Sequence, residues 1–247
     1  MKPATISRVR RVAVESASPP RSKAIDVSVF DSPHGAADAE DHKLRLKEDW
    51  KAMKVPLYHL STEVVDSYQK LLIESPEMPK DVLTLDSLYW YVLMHQVKAG
   101  EEFQARVETF KGKRFDGKTR VLWVVYGFGH FAVLDISLTK KRIEVYDSIP
   151  DMAKEWVTPR LQRLLRSVVG GKVNFAVELK ESAQQVNYDD CGVYAMANMR
   201  SLLFGREVFP KSMVGKHMGN ARRESEVTKL RLKFFKEYTE RKLSKWW

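Results

Sequence analysis

The sequence predicts an α+β protein: a central sheet flanked by helices, with a cysteine at the start of a buried helix. Three observations carry this. Apolar residues recur at helical spacing from Ser61 to about Ile73, give way to a β-branched and aromatic run at Arg120–Tyr126, and return to helical spacing after Pro150. In Phe131–Leu138 the even positions Ala132, Leu134, Ile136 and Leu138 are apolar, the mark of a strand with one buried face. The one cysteine among 247 residues, Cys191, separates a polar stretch from the apolar run Val193–Met199.

Composition narrows the class. With 44% apolar and 30% charged residues the chain is an ordinary globular protein, large enough for one or two domains. A single cysteine excludes an internal disulfide framework and fits a reducing intracellular setting, nucleus or cytoplasm. No apolar run approaches the ~20 residues needed to span a bilayer. Scattered histidines and one cysteine give no metal-ligand spacing, so neither metal nor cofactor is expected. Of the net charge of +10, residues 1–23 hold six Lys/Arg against Glu15 and residues 206–247 hold twelve against five Glu, which leaves −2 for the middle. Such basic ends can attract nucleic acid weakly and without sequence preference. More ordinarily they solvate a tail and an exposed helix face.

Taken in order, residues 1–45 read as a loosely attached basic tail, with Ser16–Pro20 and Ser32–Gly35 breaking any periodicity. Arg8–Arg11 is a short basic cluster. Order is expected from Leu46, and residues 46–247 form one domain. Ser61 or Thr62 caps a helix to about Ile73. A second helix, apolar nearly all round, is expected from Thr84 through Leu85, Leu88, Tyr89, Val92 and Leu93. Phe103–Gly117 is not assigned. Gly127-Phe128-Gly129 is a turn between strands, and Thr139-Lys140-Lys141 leads to a third strand, Arg142–Tyr146. A register whose paired numbers sum to 277 sets Leu134 opposite Ile143 and His130 opposite Asp147, with both apolar sets on one face. Met152–Val169 reads as an amphipathic helix, Val173–Leu179 as a strand, and Ser225–Leu243 as a basic helix with Leu230, Phe234 and Tyr238 inward.

A thiol in the first turn of a helix meets unpaired N–H groups and the positive dipole end, which favour thiolate. With His130 beside Asp147, the parts of an activated thiol nucleophile are present: a carboxylate orients an imidazole, which deprotonates the thiol. Gln185, or Gln184 one residue earlier, can supply an amide donor to an oxyanion.

Gly129-His130-Phe131, Val145-Tyr146-Asp147-Ser148 and Gln185-Val186-Asn187-Tyr188-Asp189-Asp190-Cys191-Gly192 resemble, in order and spacing, the three signature blocks of the Ulp1/SENP-type, adenain-like cysteine proteases. The likeness covers roughly residues 80–243, and Leu85-Asp86-Ser87-Leu88 and Leu230–Glu237 resemble further family segments. It implies the Ulp1-like fold with a mixed sheet, and a catalytic set of His130 as base, Asp147 as orienter, Cys191 as nucleophile and Gln185 as oxyanion donor. Asn187, Asp190 and Gly192 are implied to shape the loop and cap the helix. Phe131, Trp90 and Asp86 are candidate substrate contacts. Two family tryptophans are replaced, by Phe131 and Leu83; in SUMO-cleaving members they roof a tunnel for a diglycine tail. The implied activity is hydrolysis of a peptide or isopeptide bond after the Gly-rich tail of SUMO, ubiquitin, NEDD8 or a relative. The alternatives are a viral or mobile-element protease that matures a polyprotein, a bacterial effector with the same chemistry (either acting in a host cell), and a module that binds a ubiquitin-like protein without turnover.

Overall fold

The sheet has five strands in the order β1-β2-β3-β4-β5: Val82–Leu85, Arg120–Gly127, His130–Ser137, Arg142–Tyr146 and Ala176–Leu179. The three middle strands are antiparallel, while β1 joins β2 and β5 joins β4 in parallel, so the sheet is mixed. The helices are α1 (Ala36–Ala52), α2 (Thr62–Ile73), α3 (Ser87–Tyr91), α4 (Pro159–Val169), α5 (Cys191–Leu203) and α6 (Asn220–Glu240). The computed structural model describes residues 36–96, 100, 115–149, 152, 155–206, 208 and 220–245. The basic cluster at Arg8–Arg11 and most of Phe103–Gly117 lie outside them.

The sheet is covered on both sides, where the sequence suggested one buried face. Helix α5 is buried along its whole length and lies with Leu122, Val124, Phe131 and Val133 in a core that also takes in Val64 and Tyr68 of α2 and Leu230 and Phe234 of α6. By the alternation of strand side chains, Trp123, Leu134 and Val145 point the other way. There Trp123 meets Trp90 edge-on with ring centroids 5.3 Å apart, and Trp156 follows at 6.1 Å from Trp90. The polar residue that disguised the α5 face of β3 is Asp135, which is buried and holds Arg120 through two bonds of 2.7 and 2.6 Å.

Local chemistry explains most element ends, and corrects several. Ser61 caps α2, accepting from the Val64 N–H. The helix expected from Thr84 is instead strand β1 followed by α3, which starts at Ser87 under an Asp86 cap and runs on as a π-helical turn over Val92–Gln96. A strand of four residues is too short to show a period of its own. Helix α4 begins only at Pro159, after a Thr158 cap; the fixed φ of proline suits a first helical position. Helix α1 begins at Ala36, in the segment expected to be loose, because Ala36, Ala37, Ala39 and Glu40 are strong helix formers. Contacts divide the chain between Asp41 and His42.

The β3–β4 register sums to 279, not 277: Leu134 faces Val145 and Ile136 faces Ile143. A slip of two residues preserves which face each side chain occupies, so the apolar pattern cannot detect it. His130 therefore lies beyond the end of the β3–β4 ladder, where Asp147 reaches it diagonally.

Gly192 lets the first turn of α5 pack tightly against the core. A Cβ there would lie 3.1 Å from Leu60 Cβ and 3.2 Å from Val65 Cγ2, both buried. Gly192→Ala is expected to destabilise the fold by about 1–3 kcal/mol, the usual cost of overpacking, read as a lower midpoint in urea at unchanged slope.

Candidate active site

His130 opens β3 directly after a two-residue hairpin turn, in which Phe128 and Gly129 both have positive φ, 54° and 74°. Such turns match the twist of the strands they join, and so fix where the imidazole emerges. Its Nε2 lies 2.6 Å from Asp147 Oδ1, leaving Nδ1 as the nitrogen turned to the Cys191 thiol, to which it is hydrogen-bonded. All three residues are buried. Burial disfavours the imidazolium, but the hydrogen bonds and charges of Asp147 and Cys191 outweigh it and push His130 from 6.5 up to about 9.

Asp147 sits one residue past β4 and is held from three directions. Its Oδ1 also accepts from the Ile149 N–H at 2.8 Å, and its Oδ2 accepts from the Trp156 indole at 2.9 Å. Its carbonyl accepts from Ser182 Oγ at 2.7 Å and from Gln184 Nε2 at 3.3 Å. Nothing in the sequence spacing signals the contact of the Trp156 indole with this carboxylate.

Gln185 and Gln184 differ in surroundings. The Gln184 amide is spent on the carbonyls of Asp147 and Ser182, so it straps the Asp147 turn. The Gln185 carbonyl oxygen accepts from Ser148 Oγ at 2.6 Å, and its amide nitrogen donates to the Asn187 carbonyl at 2.6 Å. An amide has two N–H groups, and the contact with Asn187 uses one. Ser148, the last residue of the second block, thus orients the glutamine.

The loop before Cys191 is built around Asn187. Its Oδ1 accepts from the N–H groups of Asp189 and Asp190, and its Nδ2 donates to Asp190 Oδ2 at 2.7 Å. Asp190 precedes the helix but its side chain makes no capping bond, contrary to expectation. The carboxylate turns instead to Arg231 of α6, whose Nε and Nη2 reach Oδ1 at 2.9 and 2.5 Å in a buried ion pair. Arg231 also donates to the Tyr58 carbonyl at 2.7 Å.

The three candidate substrate contacts have other partners. Phe131 is 1% exposed, packed by Tyr126 at 4.5 Å, and Trp90 is 1% exposed within the tryptophan cluster. Asp86 caps α3 and accepts the Trp123 indole on its carbonyl. Burial removes the first two from reach of a substrate tail, and capping occupies the third. Among the described residues no group of side chains could hold a metal ion, and no helix is long and apolar enough to cross a membrane.

Residues 58–242 match the family model of the Ulp1 protease family, C-terminal catalytic domain. The chain belongs to that family. It is a cysteine peptidase. A sequence search among curated proteins finds no match. Among solved structures, the C-terminal Ulp1 protease domain in complex with Smt3, the yeast ortholog of SUMO, has a TM-score of 0.53 at 21% identity, covering 75% of this chain and 81% of that one. The SUMO protease Ulp1 with its catalytic cysteine oxidised to a sulfonic acid has a TM-score of 0.60 at 16% identity, covering 85% and 97%. A de-sumoylating protease has a TM-score of 0.51 at 15% identity over 78% and 80%. At these identities the likeness shows the fold, and the Ulp1-like α+β architecture expected from the signature blocks is the one observed.

The raised His130 has a consequence for stability. Its folded value, about 9, lies above the unfolded 6.5. The stabilisation is thus complete below 6.5 and is lost as pH rises through 9. Urea unfolding is expected to show stability declining across that window, and Asp147→Asn to flatten the decline.

Proposed function

We propose that this peptidase hydrolyses the peptide or isopeptide bond that follows the C-terminal tail of a ubiquitin-like protein, with Cys191, His130, Asp147 and Gln185 as its working residues. The observation that carries the reading is the imidazole of His130, bonded on one side to Asp147 and on the other to the only thiol in the chain. The solved relatives that share the fold include a protease bound to the yeast ortholog of SUMO, which favours this class of substrate.

The steps follow from the positions of the groups. The thiol proton passes to Nδ1 of His130, and Asp147 holds the resulting imidazolium. The Cys191 thiolate attacks the scissile carbonyl carbon, and the electron pair of the C=O moves to oxygen. That oxyanion takes a hydrogen bond from the second N–H of Gln185, whose amide plane Ser148 fixes. The tetrahedral centre collapses, the C–N bond breaks, and the imidazolium gives its proton to the leaving amine. A thioester remains on Cys191. Water, deprotonated by neutral His130, attacks it and releases the tail as a carboxylate with the thiol restored.

Electrophilic probes built on SUMO, ubiquitin and NEDD8 test the reading. The parent is expected to form a covalent adduct with at least one of them, and Cys191→Ala with none while keeping its fold by circular dichroism. Gln185→Ala is expected to lower turnover by about 10²–10³, the usual scale for one oxyanion donor, while Gln184→Ala lowers it less. A parent that cleaves a polyprotein junction and labels with no such probe would turn the reading to the maturation protease.

A further inference from the structure

Three indoles meet on the face of the sheet opposite α5, and their N–H groups have different fates. Trp123 donates to the Asp86 carbonyl at 3.0 Å. The Trp90 N–H is buried and finds no acceptor among the described residues. Trp156 donates to Oδ2 of Asp147 at 2.9 Å, in a contact buried on both sides. Its ring centroid lies 6.2 Å from that of the His130 imidazole, with the two planes inclined at 30°. Trp156 belongs to none of the signature blocks; it follows Asp147 by nine residues, in the connection to α4.

Packing alone does not require an indole at this position. The cluster needs a flat ring against Trp90, and phenylalanine also offers one. The cluster supplies no acceptor of its own to Trp90, so it sets no use for the N–H of a neighbour. What the Trp156 N–H satisfies is the carboxylate.

Asp147 is 4% exposed, so its oxygens depend on donors from the protein. Oδ1 has two, the His130 imidazole at 2.6 Å and the Ile149 N–H at 2.8 Å. Oδ2 has one among the described residues, the Trp156 indole. Indole only donates, so this pairing engages Oδ2 and leaves Oδ1 to the imidazole. Without it, Oδ2 would be a charged acceptor with no partner in a dry site. The carboxylate would regain a partner by turning about its Cβ–Cγ bond, with both oxygens competing for the Ile149 N–H. That turn lengthens the contact with Nε2. It weakens the support of the imidazolium that forms when the Cys191 thiol gives up its proton.

We propose that Trp156 is a positioning residue of this peptidase, its indole N–H holding the Asp147 carboxylate in line with His130. The inference rests on the assignment of Cys191, His130 and Asp147 above, and not on which ubiquitin-like protein is the substrate.

The test separates the N–H from the ring. Trp156→Phe keeps an aromatic ring in the cluster and removes the donor. Because Cys191 is the only cysteine, alkylation by iodoacetamide at neutral pH reports on it alone. Trp156→Phe is expected to slow that alkylation by about 10–100-fold, the scale of one hydrogen bond to a charged group. Labelling by whichever SUMO, ubiquitin or NEDD8 probe the parent accepts is expected to slow likewise. In the Asp147→Asn background the same change is expected to alter either rate less than twofold, because the carboxylate on which the indole acts is already gone. Benzothienylalanine at position 156 keeps the shape of the indole with sulfur in place of the N–H. It is expected to reproduce the loss, and it decides the matter if Trp156→Phe does not fold. Rates within twofold of the parent for a folded protein with either donor-free ring would overturn the inference. So would an equal loss in both backgrounds, which would make Trp156 a packing residue. A parent whose thiol alkylates no faster than that of Asp147→Asn overturns the assignment of the three residues and this inference with it. Alkylation in the expected pattern without labelling by any probe would overturn the substrate reading and uphold this inference.

Discussion

The site depends on one buried ion pair, Arg231 to Asp190. Removing one partner of such a pair leaves a bare charge in a dry interior and costs about 3–5 kcal/mol. Here the guanidinium does more than neutralise the carboxylate. It also donates to the Tyr58 carbonyl, so a single side chain of α6 joins the approach to α2 to the residue that precedes Cys191. Asn187 closes the other end of the loop on the same carboxylate. Cys191 is therefore located by contacts from two distant parts of the chain and from its own loop, and the helix it begins is locked by burial. A second buried ion pair, Arg200 of α5 with Glu237 of α6, ties the far end of the same helix to the same partner.

The histidine side is positioned by different means. There the constraint is geometrical: a tight turn sets the start of β3, and Asp147 leaves β4 just as its ladder ends. Off the ladder, Asp147 is free to spend both carboxylate oxygens on chosen donors, the imidazole, the Ile149 N–H and the Trp156 indole. Trp156 reaches it through the tryptophan cluster on the face of the sheet opposite α5. The two sides of the site thus hang from the two cores, one on each face of the sheet.

Much of this was legible before any coordinates. The period of the apolar residues identifies α2, the three central strands, α5 and α6, and a capping serine and a two-residue turn mark their limits. The signature blocks select His130, Asp147, Cys191 and Gln185 from the whole chain. What stayed hidden has physical reasons. Strand β1 is four residues long and runs into a helix, so no period develops. A two-residue slip of register leaves every face unchanged. Asp135 looks like a solvent-facing position because its partner Arg120 sits on the neighbouring strand. Phe131 and Trp90 look like substrate contacts because sequence cannot distinguish an aromatic residue that closes a core from one that opens onto a cleft.

The division of labour between core and loops bears on how such an enzyme changes over generations. His130 and Cys191 begin a strand and a helix whose other residues are packed, and few substitutions there would be survivable. Phe128 and Tyr188 stand on a turn and a loop with most of their surface in water. Change is more easily borne there than at the packed starts of β3 and α5. Substitutions on that turn and loop can therefore accumulate in descendants of this chain while the packed starts of β3 and α5 are inherited unaltered.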